Sequence, residues 1–161
     1  IRRGLKGFRG SKRRSEILGK AGGILFLDDY AHHPTAIQTT LKGYREFFPG
    51  KRIVVDFMSH TYSRTKELLP AFGASFSSAD EVILHKIYAS AREKNDQSIT
   101  GRDLYQEVAK HHGHVHYIHN PEEAIPFLKG ILRPGDLFVT MGAGDNWRIG
   151  QYLYNYFKGN Q

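Results

Sequence analysis

Short apolar runs separated by polar turns recur along this chain and predict the strands of a sheet. Four of these runs are nearly continuous: Ile24–Leu27, Arg52–Met58, Glu81–Leu84 and Leu137–Met141. A continuous apolar run predicts a strand that is buried on both faces, which requires helices above and below the sheet. A less regular run at His114–Ile118 predicts one more strand.

Apolar residues at three- and four-residue spacing predict helices between these strands. The helix from Pro34 to Phe48 has Ile37, Leu41 and Tyr44 on its apolar face, and Pro49-Gly50 ends it. Three further helices are predicted over Lys66–Phe72, from Thr100 to about Lys110 with Asp103 completing a capping box, and from Pro121 onward. A last helix follows Asn146 and has Ile149 and Leu153 on its apolar side.

The order of these elements predicts the fold class. Two strands, Arg14–Lys20 and Gly23–Leu27, are joined across Ala21-Gly22 and predict a hairpin. After the hairpin, strand and helix alternate, which is typical of a parallel sheet with crossover helices. We therefore predict an α/β domain with three layers, Rossmann-like, with a mostly parallel sheet of about six strands that begins with an antiparallel hairpin.

Composition narrows the class of protein. A length of 161 residues with 40% hydrophobic content fits one folded domain. The longest apolar runs are far shorter than the roughly 20 residues of a membrane helix, and the chain does not open on a signal-peptide pattern. The sequence contains no cysteine, which excludes disulfides and agrees with a reducing cytoplasm. We expect a cytoplasmic protein without a membrane partner.

The net charge of +7 is concentrated at the start of the chain. Residues 1–14 contain seven Lys/Arg and no acid, whereas the remaining 147 residues contain sixteen basic and sixteen acidic groups. Such a segment can bind nucleic acid, but it lacks the aromatic residues between basic ones that binders use. A short basic loop that serves a polyphosphate or a neighbouring domain fits it better, and we expect no nucleic-acid partner.

Polar residues follow four of the predicted strands. They lie at residues 28–33, 59–64, 88–93 and 142–146 and include carboxylates, imidazoles, guanidinium groups and glycine amides. In a parallel sheet the carboxyl ends of the strands meet at one edge, where α/β proteins bind their ligands. The collection suits an anionic ligand with hydroxyls, such as a nucleotide, together with a small zwitterion.

The sequence also allows other interpretations of these motifs. Local pattern alone permits Asp29 to cap the next helix and the nearby histidines to be merely exposed. Gly142-Ala143-Gly144 begins like a dinucleotide fingerprint, but the next glycine, Gly150, is too distant, and no phosphate-loop motif occurs anywhere. The five histidines between His111 and His119 have no acid or cysteine among them, so we predict no metal site in this chain.

Two of the polar segments identify a family. The string Gly10-Ser-Lys-Arg-Arg14-Ser-Glu16, followed by a hairpin and Asp28-Asp-Tyr-Ala-His-His-Pro-Thr35, resembles the C-terminal domain of the Mur ligases of peptidoglycan synthesis. The strings Phe57-Met-Ser-His60-Thr-Tyr-Ser-Arg64 and Gly142-Ala-Gly-Asp145 are most similar to the member that adds L-alanine to UDP-N-acetylmuramate. These motifs cover nearly the whole chain, in the order found in the family.

The resemblance implies an ATP-dependent ligase with three domains, of which this chain is the last. Residues 1–13 would be the connector from a central ATPase domain, and residues 14–161 the C-terminal domain. ATP would activate the muramoyl carboxylate as an acyl phosphate, and the amine of L-alanine would then form the amide. Mg²⁺ would be held mainly by the central domain. The C-terminal domain would supply the amino-acid pocket and part of the ATP site, and would be inactive alone.

Site residues follow from the resemblance position by position. Arg14, Asp28 and Asp29 correspond to residues that bind ATP. The residues that would line the amino-acid pocket are Tyr30, His32, His60, Arg64, Gly142 and Asp145. Of these, His32 and Arg64 would be catalytic, and Arg64 is the natural partner of the alanine carboxylate.

Two departures and two alternatives accompany this assignment. Thr61 stands where the alanine-adding enzymes often have arginine, which leaves one guanidinium fewer for the alanine carboxylate. Residues 88–93 are one longer than the common form, so we hypothesise that Arg92 replaces the missing guanidinium.

The recycling ligase that attaches a whole tripeptide to UDP-N-acetylmuramate shares the aspartate–histidine motif and is the second candidate. A basic nucleic-acid-binding module is the candidate from a different class.

Overall fold

The computed structural model describes residues 11–89, 93 and 98–160. Its strands are β1 (Glu16–Ala21), β2 (Ile24–Asp29), β3 (Ile53–Met58), β4 (Glu81–Leu84), β5 (Val115–Tyr117) and β6 (Leu137–Gly142). Its helices are α1 (Pro34–Phe47), α2 (Tyr62–Glu67), α3 (Leu69–Gly73), α4 (Gly101–Ala109), α5 (Ala124–Ile131) and α6 (Trp147–Gly159).

The six strands form one sheet in the order β1-β2-β6-β3-β4-β5. β1 pairs antiparallel with β2, and the other neighbouring strands pair parallel. The predicted class, a mostly parallel six-stranded sheet with an antiparallel hairpin at its start, is confirmed.

Helices cover both faces of the sheet. Successive residues of each central strand point to opposite sides, and both sets of side chains are apolar, so each face packs against helices. Val55 and Val139 pack with residues of α1, α3 and α4. Their neighbours Val54 and Phe138 pack on the other face with residues of α5 and α6. These two cores give the three layers, and they explain why β3 and β6 are almost uniformly apolar. Of the described helices, none is long and apolar enough to cross a membrane.

The strand order determines where the polar segments lie. β2, β6, β3 and β4 are adjacent and parallel, and Asp28 pairs with Thr140 while Met58 pairs with Gly142. The segments that follow these strands therefore begin side by side. We call this border of the sheet the carboxyl edge, and the opposite border the amino edge.

The predicted helix over Lys66–Phe72 was wrong in its bounds. The chain instead forms α2 and α3, which meet at Leu68. Helix formation starts earlier than predicted because the Thr61 hydroxyl caps α2 by accepting from the Arg64 amide. It restarts because Pro70 has no N–H to continue the first helix but is tolerated in the first turn of the second.

Two other elements start at least two residues later than predicted. β1 begins at Glu16 rather than Arg14, because Arg13 and Ser15 have positive φ angles of 55° and 48° that an extended strand excludes. Pro121 opens a 3₁₀ turn, Pro121–Glu123, before α5. The predicted capping box of Thr100 and Asp103 is confirmed.

Candidate functional site

Asp28, at the end of β2, is held by contacts from two other parts of the chain. Its carboxylate accepts from Arg13 Nε at 2.9 Å and from the Thr140 hydroxyl on β6 at 2.8 Å. Burial raises the pKa of Asp28, and the hydrogen bond from Thr140 and the charge of Arg13 offset only part of that shift. The carboxylate is therefore fixed in direction before any ligand arrives.

The Asp29 carboxylate is hydrogen-bonded to three other parts of the chain. Its carboxylate accepts from the Ser15 amide at 2.7 Å, from the Ala31 amide at 2.8 Å and, at 3.5 Å, from the Tyr44 hydroxyl. These bonds join the segment before β1, the turn after β2 and helix α1. The predicted contact of Asp29 with ATP stays a prediction. The helix cap considered for Asp29 belongs instead to His33, whose ring accepts from the Thr35 amide.

Tyr30 is the centre of a stack of cations and rings. The guanidinium groups of Arg13 and Arg14 lie 5.2 and 5.8 Å from its ring centre. The His32 ring meets it edge-on at 4.9 Å. The His32 Nδ1 lies 2.8 Å from the Tyr30 carbonyl and must donate to it, so Nε2 is the basic atom of the neutral His32 ring.

His60 and Arg64 lie across from this stack, after β3. Arg64 donates to the His60 carbonyl at 2.9 Å, one helical turn back along the chain. Burial lowers the pKa of His60, and the charges of Arg64 and His32 lower it further, while Glu93 acts in the opposite direction. The segments that contain His32 and His60 begin close together, because β2 and β3 both lie beside β6 in the sheet.

Glu93 closes the far side of this neighbourhood. Its carboxylate accepts from the amides of Tyr62 and Ser63, at 2.8 and 2.9 Å, at the start of α2. A hydrogen bond from the Ser63 side chain, together with these amide bonds, lowers the pKa of Glu93. Tyr88, earlier in the same segment, forms an isolated bridge with His60 and packs its ring 5.9 Å from the imidazole. The segment after β4 thus reaches the His60–Arg64 group.

The turn after β6 fits closely against the end of β3. Gly142 has a φ of 120°, and a side chain there would collide with the Met58 carbonyl oxygen, so the position requires glycine. The Gly142 carbonyl accepts from the Arg13 guanidinium at 2.8 Å. Asp145 is half-buried in the same turn, and its carbonyl accepts from the Arg148 amide at the start of α6.

The structure therefore groups the predicted site residues at the carboxyl edge. Contacts run from Asp28 through Arg13 to Tyr30 and His32, and Arg13 also reaches Gly142. His60 and Arg64 complete the group. It offers basic side chains and a neutral imidazole beside one fixed carboxylate, which suits a ligand with an anionic end and hydroxyl groups. We call this group of residues the carboxyl-edge hollow.

Two contributors were missed from the sequence: Arg13 and Glu93. Arg13 was passed over for Arg14, although only Arg13 bonds to Asp28, and Arg14 is exposed. Glu93 was noted only as the end of a polar segment. Arg92, the hypothesised substitute for an arginine at position 61, lies outside the described residues.

The histidines after α4 do not form a metal site in the structure. His112 bonds to the Ala79 carbonyl and His116 to Glu81, so each is used within the chain. More generally, residues 11–89, 93 and 98–160 contain no group of three or more His, Asp or Glu placed to hold a metal ion.

Comparison with known proteins identifies the family. The family model described as "Mur ligase, glutamate ligase domain" matches residues 13–144, which is most of the chain. The chain belongs to the Mur ligase family. This match begins at Arg13 and ends at Gly144, so it includes the segments that build the carboxyl-edge hollow.

Individual Mur ligases resemble the chain over nearly its full length. A UDP-N-acetylmuramate–L-alanine ligase of Treponema pallidum (strain Nichols) is 56% identical over 158 residues, covering 98% of this chain and 33% of the relative. A protein of the same name from Desulfitobacterium hafniense (strain Y51) is 47% identical over 149 residues, covering 92% of this chain and 33% of the relative. The chain thus spans about a third of the length of the curated relatives that it matches.

Solved structures of Mur ligases share the fold. The UDP-N-acetylmuramate–alanine ligase of Thermotoga maritima superposes with a TM-score of 0.76 at 23% identity, over 99% of this chain and 33% of that one. A murein peptide ligase of Psychrobacter arcticus superposes with a TM-score of 0.68 at 25% identity, over 96% of this chain and 32% of that one. The first of these establishes the fold alone.

Proposed function

We propose that this chain is the amino-acid-binding, C-terminal part of an ATP-dependent ligase that joins L-alanine to UDP-N-acetylmuramate in bacterial peptidoglycan synthesis. The observation that carries the proposal is that the segments after β2, β6 and β3 begin side by side at the carboxyl edge, which brings the Arg13–Asp28 pair, His32 and the His60–Arg64 pair to one border of the sheet. The name shared by the most similar relatives supports the choice of L-alanine. The reaction would take place in the cytoplasm, where UDP-sugar and ATP are supplied.

On the amino-acid side, Arg64 binds the carboxylate of L-alanine. Its guanidinium is fixed by its bond to the His60 carbonyl, so it is oriented before the substrate arrives. Tyr30, His60, Gly142 and Asp145 form the walls of the pocket. A charge-assisted bond to a carboxylate in such a setting is stronger than one in open water.

His32 takes the proton that the alanine ammonium group must lose before its nitrogen can attack. Its Nδ1 is committed to the Tyr30 carbonyl, so the neutral ring presents a basic Nε2. His60, whose pKa is lowered by burial and by its cationic neighbours, is neutral near pH 7 and does not repel the ammonium group. The deprotonated amine then attacks the carbonyl carbon of the muramoyl acyl phosphate, the bond from this carbon to the phosphate oxygen breaks, and the amide forms as phosphate leaves.

On the nucleotide side, Asp28 accepts from the ribose hydroxyls of ATP and Arg14 binds its phosphates. Asp28 can accept further bonds because each carboxylate oxygen has two lone pairs, and the structure gives each oxygen a single polar partner among the described residues. Arg14 is exposed, with its guanidinium resting near Tyr30. The Asp29 carboxylate accepts from the Ser15 amide and so holds in place the backbone that follows Arg14.

The described residues do not offer a resident site for Mg²⁺, since no suitable group of acidic or histidine side chains exists among them. ATP-dependent ligation is generally helped by Mg²⁺, which neutralises phosphate charge. We propose that its ligands lie mainly in a central domain of the full-length enzyme. The domain by itself would be catalytically inactive.

Two alternatives remain to be separated by experiment. The tripeptide-adding recycling ligase is disfavoured because the Treponema relative named as an L-alanine ligase is more than twice as identical to this chain as the murein peptide ligase is. The nucleic-acid-binding module depends on the leading basic residues, of which Arg2, Arg3, Lys6 and Arg9 lie outside the described residues. Salt-sensitive binding to random DNA that is lost on deleting residues 1–14 would favour this module.

The experiment that tests the proposal is an assay of the full-length protein. Phosphate release is followed with ATP and UDP-N-acetylmuramate, in the presence of either L-alanine or the tripeptide. We expect turnover that depends on L-alanine. Turnover with the tripeptide alone would assign the recycling reaction, and the absence of turnover with both would refute a ligase of either kind.

A further inference from the structure

A polar cluster lies inside the sheet, directly beneath the carboxyl edge and apart from the hollow itself. Its members are Asp56 on β3, His85 just after β4 and Asn146 just before α6, and all three are fully buried. A carboxylate, an imidazole and an amide in an apolar core are unfavourable unless they are hydrogen-bonded. Hydrogen bonds within the cluster must therefore offset the cost of burying these three side chains.

Asp56 and His85 are joined by a hydrogen bond in the core. His85 Nδ1 lies 2.8 Å from the Ile118 carbonyl, which can only accept, so Nδ1 carries a proton. His85 Nε2 lies 2.9 Å from Asp56 Oδ2, and this second bond needs one more proton between the two groups. Burial alone lowers the pKa of His85, but Asp56, the Ile118 carbonyl and the charge of Glu122 raise it above its ordinary value. The proton therefore stays on the ring, and the two groups form an ion pair.

Asn146 joins this pair to the turn after β6. Its Nδ2 donates to Asp56 Oδ1 at 2.8 Å, to the Asp56 carbonyl at 2.9 Å and to the Met141 carbonyl at 3.2 Å. Its Oδ1 is buried, and the described part of the chain supplies no partner for it. The side chain thus leaves one acceptor unsatisfied, which is unfavourable, while its N–H groups fasten the start of α6 to β3.

The segment between these anchor points is residues 142–145, which we call the substrate turn. Gly142 and Gly144 pack directly against Met58, two residues before His60. The Gly142 carbonyl also accepts from Arg13, the partner of Asp28. A shift of the substrate turn would therefore displace Met58, which precedes His60, and Arg13, which binds Asp28.

We propose that Asn146 is a positioning residue, which holds the substrate turn in place for the amino acid and is itself anchored by the Asp56–His85 pair. The inference rests on the proposed function, because it assigns the turn to the alanine pocket. Asn146 is buried below the turn and would act without touching the substrate.

The test is steady-state kinetics of the full-length enzyme with Asn146→Ala. We expect the KM for L-alanine to rise about tenfold while kcat changes much less, because a displaced pocket wall weakens binding more than chemistry. Asn155→Ala is the matched control, since Asn155 is exposed on the same helix, and its KM should equal that of the wild type. Asp56→Val removes one of the three acceptors of the Asn146 amide, so it should raise the KM for L-alanine as well, by a smaller factor than Asn146→Ala.

A second measurement does not depend on a variant that folds. In the nitrogen-15 NMR spectrum of the histidine-labelled wild-type enzyme at pH 7, both ring nitrogens of His85 should carry protons. A His85 ring nitrogen without a proton would overturn the anchoring ion pair. Wild-type turnover with an unchanged KM in Asn146→Ala would refute the inference alone, whereas no alanine-dependent turnover in the wild type would refute the proposed function and the inference with it.

Discussion

The two edges of the sheet are both rich in charge, yet they use it differently. At the amino edge, Arg52 forms two hydrogen bonds with Asp136, and Arg45 bonds to Asp80 at 2.6 Å. At the carboxyl edge, Arg64 donates to a backbone carbonyl, and Arg14 rests over a tyrosine ring. Within the described residues, neither Arg64 nor Arg14 forms a salt bridge.

This difference separates charges that stabilise the fold from charges that remain for a ligand. An arginine paired with a buried carboxylate contributes to stability and has little left to offer a substrate. An arginine fixed by a carbonyl keeps its full charge and most of its N–H donors. Arg13 is the exception at the carboxyl edge, since it is paired with Asp28 and acts by orienting that carboxylate.

The largest effect should come from breaking the amino edge. Asp136 is almost fully buried and accepts from Arg52 and from the Arg133 amide. Asp136→Ala would leave the largely buried Arg52 guanidinium without its main partner, and we expect a loss of about 3 kcal/mol in the free energy of unfolding. Urea denaturation of the isolated variant and wild-type proteins measures this. In the full-length enzyme, the KM for L-alanine should not change, and a raised KM without destabilisation of the isolated domain would contradict the division of roles.

The complementary change at the carboxyl edge is Arg64→Ala. Loss of a charge-assisted bond to the alanine carboxylate should raise the KM for L-alanine by roughly 10- to 100-fold. The midpoint of urea denaturation should stay near that of the wild type. Arg133→Ala is the matched control, because its side chain is 69% exposed at the amino edge, and its KM should be normal.

A smaller effect is expected for Asp28→Asn. The amide keeps the shape of the side chain but weakens its bonds to ribose hydroxyls, so the KM for ATP should rise about tenfold. Because burial disfavours the charged form of Asp28, as its raised pKa indicates, the neutral amide should leave stability unchanged or improve it. Kinetics and thermal melting of the same preparation check both parts. A clear drop in stability would place Asp28 with the structural charges.

The smallest effect concerns pH and stability. The pKa of folded His85 lies above its value of about 6.5 in the unfolded chain, so the folded state holds a proton that the unfolded state loses. This contribution is complete below about pH 6.5 and is lost as pH rises through the folded pKa. Denaturation midpoints measured from about pH 6 to 9 should therefore fall more steeply for the wild type than for Asp56→Asn, in which a neutral His85 can keep both hydrogen bonds. Equal slopes would argue against the buried ion pair.

Much of the fold, and the grouping of the polar segments at one edge of the sheet, were predictable from the sequence, because apolar periodicity reveals the strands and parallel strands place their carboxyl ends together. The choice between Arg13 and Arg14 was not predictable, since it depends on positive φ angles at Arg13 and Ser15 that sequence pattern does not reveal. The pairing of Asp56 with His85 depends on the register of β3 against β4, in which Asp56 lies opposite Ile83. Contacts between residues 29 positions apart are a property of the packed sheet.

The most direct test of the account compares two substrates in two proteins. L-alaninamide lacks the carboxylate that Arg64 is proposed to bind, so the wild-type full-length enzyme should prefer L-alanine strongly in kcat/KM. In Arg64→Ala this preference should nearly disappear, because the partner of the carboxylate is gone. The same preference in both proteins would contradict the claim that the carboxyl-edge hollow recognises the amino acid through Arg64.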